Sequence, residues 1–359
     1  MQFTVNVNKL RNHVAMVTPV IGKSYLPVLN NVLISADGEN ISLCGSNMVQ
    51  QISTSFEHET ASGACTVPAR KLLSLLDSLP QEEDVTFISD DEKNIVTLTV
   101  EAGQFTLLGH PAADFPLMSV TERKSTVTLP EGVLGAMIDH CKNAVNKDDT
   151  RPALNGLFLN FQADATATVA TDGKRMAIYS VTAENDASVL PVIIPSAALP
   201  YIGKVSGDIE LTADGNFLEV RGSNVTIVTK LISGSYPNYK QVLPRSFTET
   251  VEVNGELLAN AIKLVTPVVE ANQSINLTFD GEHLDLHANS SSIGSASYSI
   301  PLERGTSKAI EVNLNPAFVL NALNGTKEKV TIGLNDTLSP LQITVAEDVF
   351  TIIMPLRRK

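Results

Sequence analysis

The chain has 359 residues, of which 43% are hydrophobic and 18% charged, and its formal charge is −13 at neutral pH. That length allows two or three domains with cores of their own, and the balance excludes a disordered chain. The acidity excludes a protein whose whole surface grips nucleic acid, though not a local basic face, because the field at a groove depends on where the charges sit.

The start, MQFTVNVNKLRNHV, alternates polar and apolar residues and lacks the cationic-then-apolar pattern of a secretory signal. No run approaches the roughly 18 continuous apolar residues of a membrane span. The first amphipathic helix is read in NKLRNHVAMV from Asn8. Five more follow: PARKLLSLLDSL from Pro68, PEGVLGAMIDHCKNAV from Pro130, SAALPYIGKV from Ser196, GELLANAIKLV from Gly255 and NPAFVLNAL from Asn315. Apolar residues fall at helical spacing within them, as in Leu72, Leu76 and Leu79 or Leu258, Ile262 and Val265. Pro68, Pro130 and Pro316 stand near helix starts, where a missing N–H costs little.

Alternating runs follow each helix. ISLCG comes after Asp37-Gly38, FLEVRG after Asp214-Gly215 and HLDLHA after Asp280-Gly281. Asp-Gly between alternating runs signals a hairpin, since both residues tolerate positive φ. The helix starts recur about every 60 residues, so the chain reads as six units of one helix and three or four strands. Units two, four and six end alike, on ADFPLM, SYPNYKQVLP and IIMPLRRK. The expectation is therefore three tandem α+β domains, 1–120, 127–246 and 247–359. Each is a pseudo-duplicated pair of units with two helices packed on antiparallel sheets.

Charge is segregated between the layers. The helix stretches carry Lys9, Arg11, Arg70, Lys71, Lys142, Lys204 and Lys263 against Asp77, Glu131, Asp139 and Glu256, a net of +3 that leaves −16 for the rest. Two readings stand: solvated helix faces, or one surface turned toward a polyanion through phosphate contacts without base readout. Geometry adds a condition. Six helices spaced about 9–10 Å apart on a closed ring leave a hole of roughly 8 Å, too narrow for a duplex. Twelve leave at least about 25 Å, so if the helices line a ring, a monomer cannot encircle a duplex and a head-to-tail dimer can.

Seven stretches in chain order carry a resemblance. They are LPVLNNVLI (26–34), VPARKLLSLL (67–76), PAADFP (111–116), RPALNGLFL (151–159), TDGKRMA (171–177), YPNYKQVLP (236–244) and IIMPLR (352–357). With these, over its full length, the chain resembles the bacterial DNA polymerase III beta subunits, the sliding clamps. The resemblance implies a homodimeric ring whose helices line the hole, closed around duplex DNA without regard to sequence. It implies a non-catalytic protein that tethers the replicative polymerase's catalytic subunit, the clamp loader and repair polymerases.

It further implies that these partners bind by short peptides, often of QL-x-L-F type, in a cleft between domains two and three. By match, one side of that cleft is Leu154, Thr171, Gly173, Lys174, Arg175 and Met176, joined by Pro237 and Val242. The facing side is Ile352, Ile353, Met354, Pro355, Leu356 and Arg357, so the basic, apolar C-terminal run reads as an anchor wall with a cationic rim. Lys174 stands where many relatives have His, Met176 where Leu is usual, and Gln241 where Arg is common. On the DNA side, Lys23 and the 147–151 loop, with Lys147 and Arg151, match loops that touch the duplex in relatives. They join Lys9, Arg11, Arg70, Lys71, Lys142, Lys204 and Lys263. Ser196 occupies a position that is often basic, and Pro152-Ala153 replaces a frequent aromatic pair. At the dimer seam the match points to Phe105 and Leu107 in GQFTLLGH, with partners near Pro267 in 267–272.

Other chemistry finds little support. No cofactor and no metal site are expected. Cys44, Cys65 and Cys141 are odd in number and include no CxxC pair, which argues against a disulfide framework or structural zinc and points to a reducing cytoplasm. IGKS at 21–24 resembles a phosphate loop, but the glycine required five positions before Gly22 is Val17. His283, Asp285 and His287 share a strand face without a third nearby ligand, so a solvated face is expected. Asp172 beside Gly173 and Arg175 reads as a turn or ion-pair residue rather than a catalytic carboxylate. Two further classes remain as comparisons: a β-rich peptide-binding scaffold that ignores DNA, and an enzyme for which no residue constellation argues.

Overall fold

The computed structural model describes residues 1–58, 61–121, 126–148, 150–183, 190–269 and 274–357. Among them lie six α-helices: α1 Val7–Val17, α2 Ala69–Ser78, α3 Val133–Cys141, α4 Leu199–Ile202, α5 Gly255–Val265 and α6 Pro316–Leu323. Three begin on the same device. Asn6, Asn254 and Asn315 stand between a strand and the helix that follows it, and their side chains accept from the backbone N–H groups of Lys9, Leu257 and Ala317 at 3.3, 2.9 and 2.9 Å. This cap starts α1 at Val7, one residue before the expected Asn8. The fourth helix is far shorter than its sequence stretch. A single 3-10 turn, Ser196–Ala198, leads into α4, and Gly203, a poor helix former, follows its last residue. Lys142 and Lys204 accordingly sit just beyond α3 and α4, near carbonyl ends that favour cations.

The chain forms two compact units. The first comprises Met1–Leu134 with Pro200–Leu231. Its four-stranded antiparallel sheet ends at one edge on Gly103–Leu108. Its eight-stranded sheet is two quartets fused where Gln50–Glu57 pairs antiparallel with Val225–Lys230, Ile52 opposite Ile227. That pairing explains why a segment past residue 200 folds with the first 134. The helices α1 and α2 lie side by side, and α1 covers Asn40–Ser46 and Gln50–Glu57. Val7, Leu10, Val14, Leu72 and Leu76 are fully buried on their inner faces. Each contributes about 1.5–3 kcal/mol by leaving water.

The second unit comprises Gly135–Leu199 with Ile232–Lys359. Its eight-stranded sheet again fuses two quartets, here where Arg175–Thr182 pairs with Val349–Ile353, Met176 opposite Ile352. Its four-stranded sheet ends at one edge on Gly294–Pro301. The helices α5 and α6 pack together, α5 against the edge strand and α6 against Leu341–Ala346 and Val349–Ile353. Leu258, Ile262, Phe279, Leu284, Leu286 and Ile353 form the centre of its core. The hairpins fall where Asp-Gly marks them, and Gly38 and Gly215 take φ of +99° and +90°.

Candidate functional site

In the second unit, the turn 171–175 is built by its own side chains. The Asp172 carboxylate accepts from the backbone N–H groups of Lys174 and Arg175 through Oδ1, at 2.9 and 3.0 Å, and from Arg175 Nε through Oδ2 at 3.2 Å. Thr171 Oγ1 donates to the Arg175 carbonyl at 2.6 Å and accepts from Gly173 N–H at 3.1 Å. Gly173 takes φ +82°, which a side chain would strain. Arg175 is deeply placed: its side chain is 10% exposed, and its guanidinium lies 4.2 Å from the centroid of the Phe318 ring. A guanidinium nitrogen also donates to the Asn143 carbonyl. Burial lowers the Arg175 pKa and the Asp172 charge opposes that shift. Asp172 is thus a turn-former and ion-pair partner, the role its sequence setting suggests.

This turn borders an apolar cavity of about 340 Å³. Ten residues of the expected cleft line it: Leu154, Thr171, Gly173, Lys174, Arg175, Met176, Pro237, Val242, Ile352 and Met354. Four expected residues do not. Ile353 is fully buried in the core, because a strand alternates its side chains and Ile352 has taken the cavity side. Pro355, Leu356 and Arg357 lie past the strand end, outside the lining, and Leu356 N–H is bonded to the Asn313 carbonyl at 2.8 Å. Arg358 and Lys359 lie outside the described residues.

Sequence reasoning missed Tyr236, Asn238, Tyr239 and Pro340, which also line the cavity. Tyr236 stacks on Phe158 at 4.6 Å and 5°, and Tyr239 meets the same ring edge-on at 6.2 Å. Both tyrosines stand in the matched stretch YPNYKQVLP, and their spacing around a proline was a usable signal. The cavity has the volume and apolar walls of a ligand pocket, with Arg151, Lys174 and Arg175 as its cations.

Arg151, expected to face DNA, therefore lines this cavity. Lys142 and Lys147 border a second, polar cavity of about 770 Å³ in the same unit, together with Lys174, Arg175, Asp148 and Asp172. Lys142 is paired with Asp139 at 2.6 Å. Lys263 is exposed on α5, between the exposed Leu257 and Leu264.

In the first unit Lys9, Lys23, Arg70, Lys71 and Lys204 are all exposed. Arg11 is paired with Asp77 at 2.8 Å, which links α1 to α2. Lys9 lies 4.7 Å from the centroid of the Phe56 ring, and Arg70 donates to the Ile21 carbonyl at 3.2 Å, near Lys23. The Tyr201 hydroxyl donates to the Pro19 carbonyl at 3.3 Å, which brings the turn bearing Lys204 beside the end of α1.

Of the residues expected at a dimer seam, Phe105 and Leu107 are half-buried on the edge strand Gly103–Leu108, opposite the buried Leu98 and Val96. Pro267 lies in the one-turn helix Thr266–Val268, which packs beside the other edge strand, Gly294–Pro301. Residues 270–272 of the expected partner stretch lie outside the described residues. His283, Asp285 and His287 share the open face of one strand, and no cluster of three metal-ligating side chains occurs among the described residues. No helix among them is long and apolar enough to cross a membrane.

Three family models match in order: the N-terminal domain of the DNA polymerase III beta subunit over residues 1–119, its central domain over 128–238, and its C-terminal domain over 240–357. The beta sliding clamps of Haemophilus influenzae and Escherichia coli are each 27% identical, over 99% of this chain and 100% of theirs. A solved DNA polymerase III beta subunit of Pseudomonas aeruginosa superposes with a TM-score of 0.92 at 25% identity, covering all of both chains. The sliding clamp of that organism bound to griselimycin superposes at 0.93, again at 25% identity over both full chains.

Proposed function

From the premise that the chain belongs to the DNA polymerase III beta subunit family, the sliding clamps, we propose that it is the processivity factor of a replicative polymerase. Two copies close head to tail into a ring around duplex DNA, and the ring catalyses nothing itself. The domains of this reading are 1–120, 127–246 and 247–359, and its site of work is the cytoplasm.

The arrangement of sheet edges carries the reading. Quartets of strands fuse twice within the chain, through Gln50–Glu57 with Val225–Lys230 and through Arg175–Thr182 with Val349–Ile353. Two quartets remain unfused, and Gly103–Leu108 and Gly294–Pro301 are left with a free edge each. A long free edge is a template for pairing with another chain. Joining these two strands between copies repeats the seam used inside the chain, and doing so twice closes a dimer. Phe105 and Leu107 then extend the core across the junction, with Pro267 near the opposite strand.

The exposed cations of α1, α2, α5 and the turns after α3 and α4 supply weak, sequence-independent attraction to phosphates. Enclosure does the rest. The apolar cavity beside Met176 and Ile352 is the site for the short peptides of the polymerase catalytic subunit, the clamp loader and repair polymerases.

The test is topological. The protein is loaded onto nicked circular DNA with a clamp loader, and the circle is then linearised. Loss of the bound protein from the linear form is expected, whereas retention unchanged by linearisation contradicts encirclement.

A further inference from the structure

The first unit repeats the frame of the second unit's cleft. In its turn 46–50, Asn47 Oδ1 accepts from the backbone N–H groups of Val49 and Gln50 at 2.9 and 2.8 Å, as Asp172 does from Lys174 and Arg175. Ser46 Oγ accepts from Met48 N–H at 3.2 Å, as Thr171 does from Gly173. Lys230 N–H donates to the Val49 carbonyl at 2.8 Å, the bond that Met354 makes to Lys174. Within the sheet, Gln51 faces Val228 where Met176 faces Ile352, and Leu33 faces Cys44 where Phe158 faces Val169.

Two differences shut this groove. In the second unit Leu243 and Pro244 are followed by Arg245 and Ser246, both exposed. In the first, Phe115 and Pro116 follow the matching one-turn helix, and the next residues are Leu117 and the buried Met118. Gln51, in the place of Met176, holds that segment. Its side-chain amide accepts from Met118 N–H at 2.8 Å and donates to the Met118 carbonyl at 3.1 Å, much as a neighbouring strand would. The Ser46 hydroxyl donates to the Met118 sulfur at 3.7 Å. Met118 thus lies against the counterparts of Thr171 and Met176, both of which line the open cavity. Phe115 packs on Leu29, Leu33 and Cys44 below. A backbone bonded across a groove, with an apolar side chain filling it, is the way an extended peptide binds. Around the segment the rim is apolar: Met48, Val49 and Leu117 are exposed, and Met48 holds φ +67° where its counterpart is Gly173.

We propose that the groove of the first unit is a second peptide site, held closed by the chain's own segment 115–118 with Gln51 as its latch. Its ligands are extended peptides with apolar anchors, the class assigned to the cavity of the second unit, and the proposal rests on that assignment. The segment is a tethered competitor. While it is seated the site is unavailable, and the affinity of any peptide for it falls by the fraction of molecules in which the segment has swung out.

Isothermal titration of the full-length protein with a QL-x-L-F peptide counts the sites. The wild type is expected to bind one peptide per chain. Gln51→Met combined with Met118→Ser installs the residues of the open cleft, and this variant is expected to bind two. Two sites in the wild type, or one site in a folded double variant, overturns the proposal. Hydrogen exchange tests the segment in the wild type without any substitution. A segment able to swing out opens without the sheet, so the Met118 amide is expected to exchange at least about tenfold faster than the Ile52 and Ile227 amides of the fused strands. Equal protection of all three overturns the proposal. Absence of any peptide binding to the wild type overturns instead the peptide reading of the second unit's cavity.

Discussion

The backbone N–H of Met354 donates to the carbonyl of Lys174 at 2.9 Å, one residue beyond the ladder in which Ile353 faces Arg175. This bond carries the sheet seam into the cleft and holds the Met354 side chain, 43% exposed, at the cavity wall. Met354→Ala keeps the backbone bond and removes only the wall. Loss of about 1–3 kcal/mol of peptide affinity is expected, with the thermal midpoint unchanged. Calorimetry returning wild-type affinity would take this side chain out of the site.

Asp172 and Arg175 form an ion pair with side chains only 19% and 10% exposed. Removing the carboxylate leaves a buried guanidinium short of its partner and the turn short of its acceptor. Asp172→Ala should destabilise the second unit by about 3–5 kcal/mol, whereas Asp172→Asn, which retains an acceptor oxygen, should cost less. Urea denaturation of both variants decides it, and wild-type midpoints for both would refute a structural role for the carboxylate.

Much of this site was legible because its signals are local. The turn 171–175 spells its own hydrogen bonds, and Thr, Asp and Gly in that order dictate a tight loop. The period-2 rule also separates Ile352 from Ile353, and applying it to IIMPLR would have assigned one to the cavity and the other to the core. Tyr236 and Tyr239 were harder to find, since their place is set by stacking on Phe158, nearly eighty residues earlier, which no local pattern encodes. The free strand Gly294–Pro301, GSASYSIP, is mostly small and polar, with Tyr298 and Ile300 its large side chains, and only the sheet order reveals that its edge is open. Lys142 and Lys204 were read as helical because the charge pattern continues past the point where the helices stop.

Leu107 tests the proposed seam between copies. It is half-buried on a strand whose other edge is already paired, so a charge there meets any incoming strand before it meets the core. Leu107→Lys should weaken self-association at least about tenfold while leaving the monomer folded. Sedimentation equilibrium reads the change directly. A dimer of undiminished strength would place the junction elsewhere.

The three thiols should be silent in the native protein. Burial pushes Cys44 up to about 11, and Cys65 and Cys141 each to about 12, so the thiolate that reacts is scarce at neutral pH. Ellman's reagent is expected to find no reactive cysteine in buffer and all three in guanidinium. Rapid native labelling of any one would show that its surroundings open without global unfolding.

His140 sets a pH dependence that can be separated from that of the carboxylates. Its ring is 3% exposed, Nε2 lies 3.3 Å from both the Phe350 carbonyl and Thr351 Oγ1, and the imidazole meets Tyr179 edge-on. Desolvation holds its pKa below the ordinary value of 6.5, more than the bond to Phe350 raises it. His13 is lowered in the same sense, by partial burial and by Lys9. A lowered folded pKa means that the unfolded chain binds the proton first. Stability is therefore fully present above about pH 6.5 and is lost as pH falls toward the folded value. The lowered carboxylates, such as Asp148 and Asp214, act in the same direction but only below about pH 4. Urea midpoints measured between pH 8 and 5 should thus decline before any carboxylate titrates, and His140→Gln should flatten part of that decline. A wild-type midpoint that is constant across the interval would mean that both histidines keep ordinary pKa values in the fold.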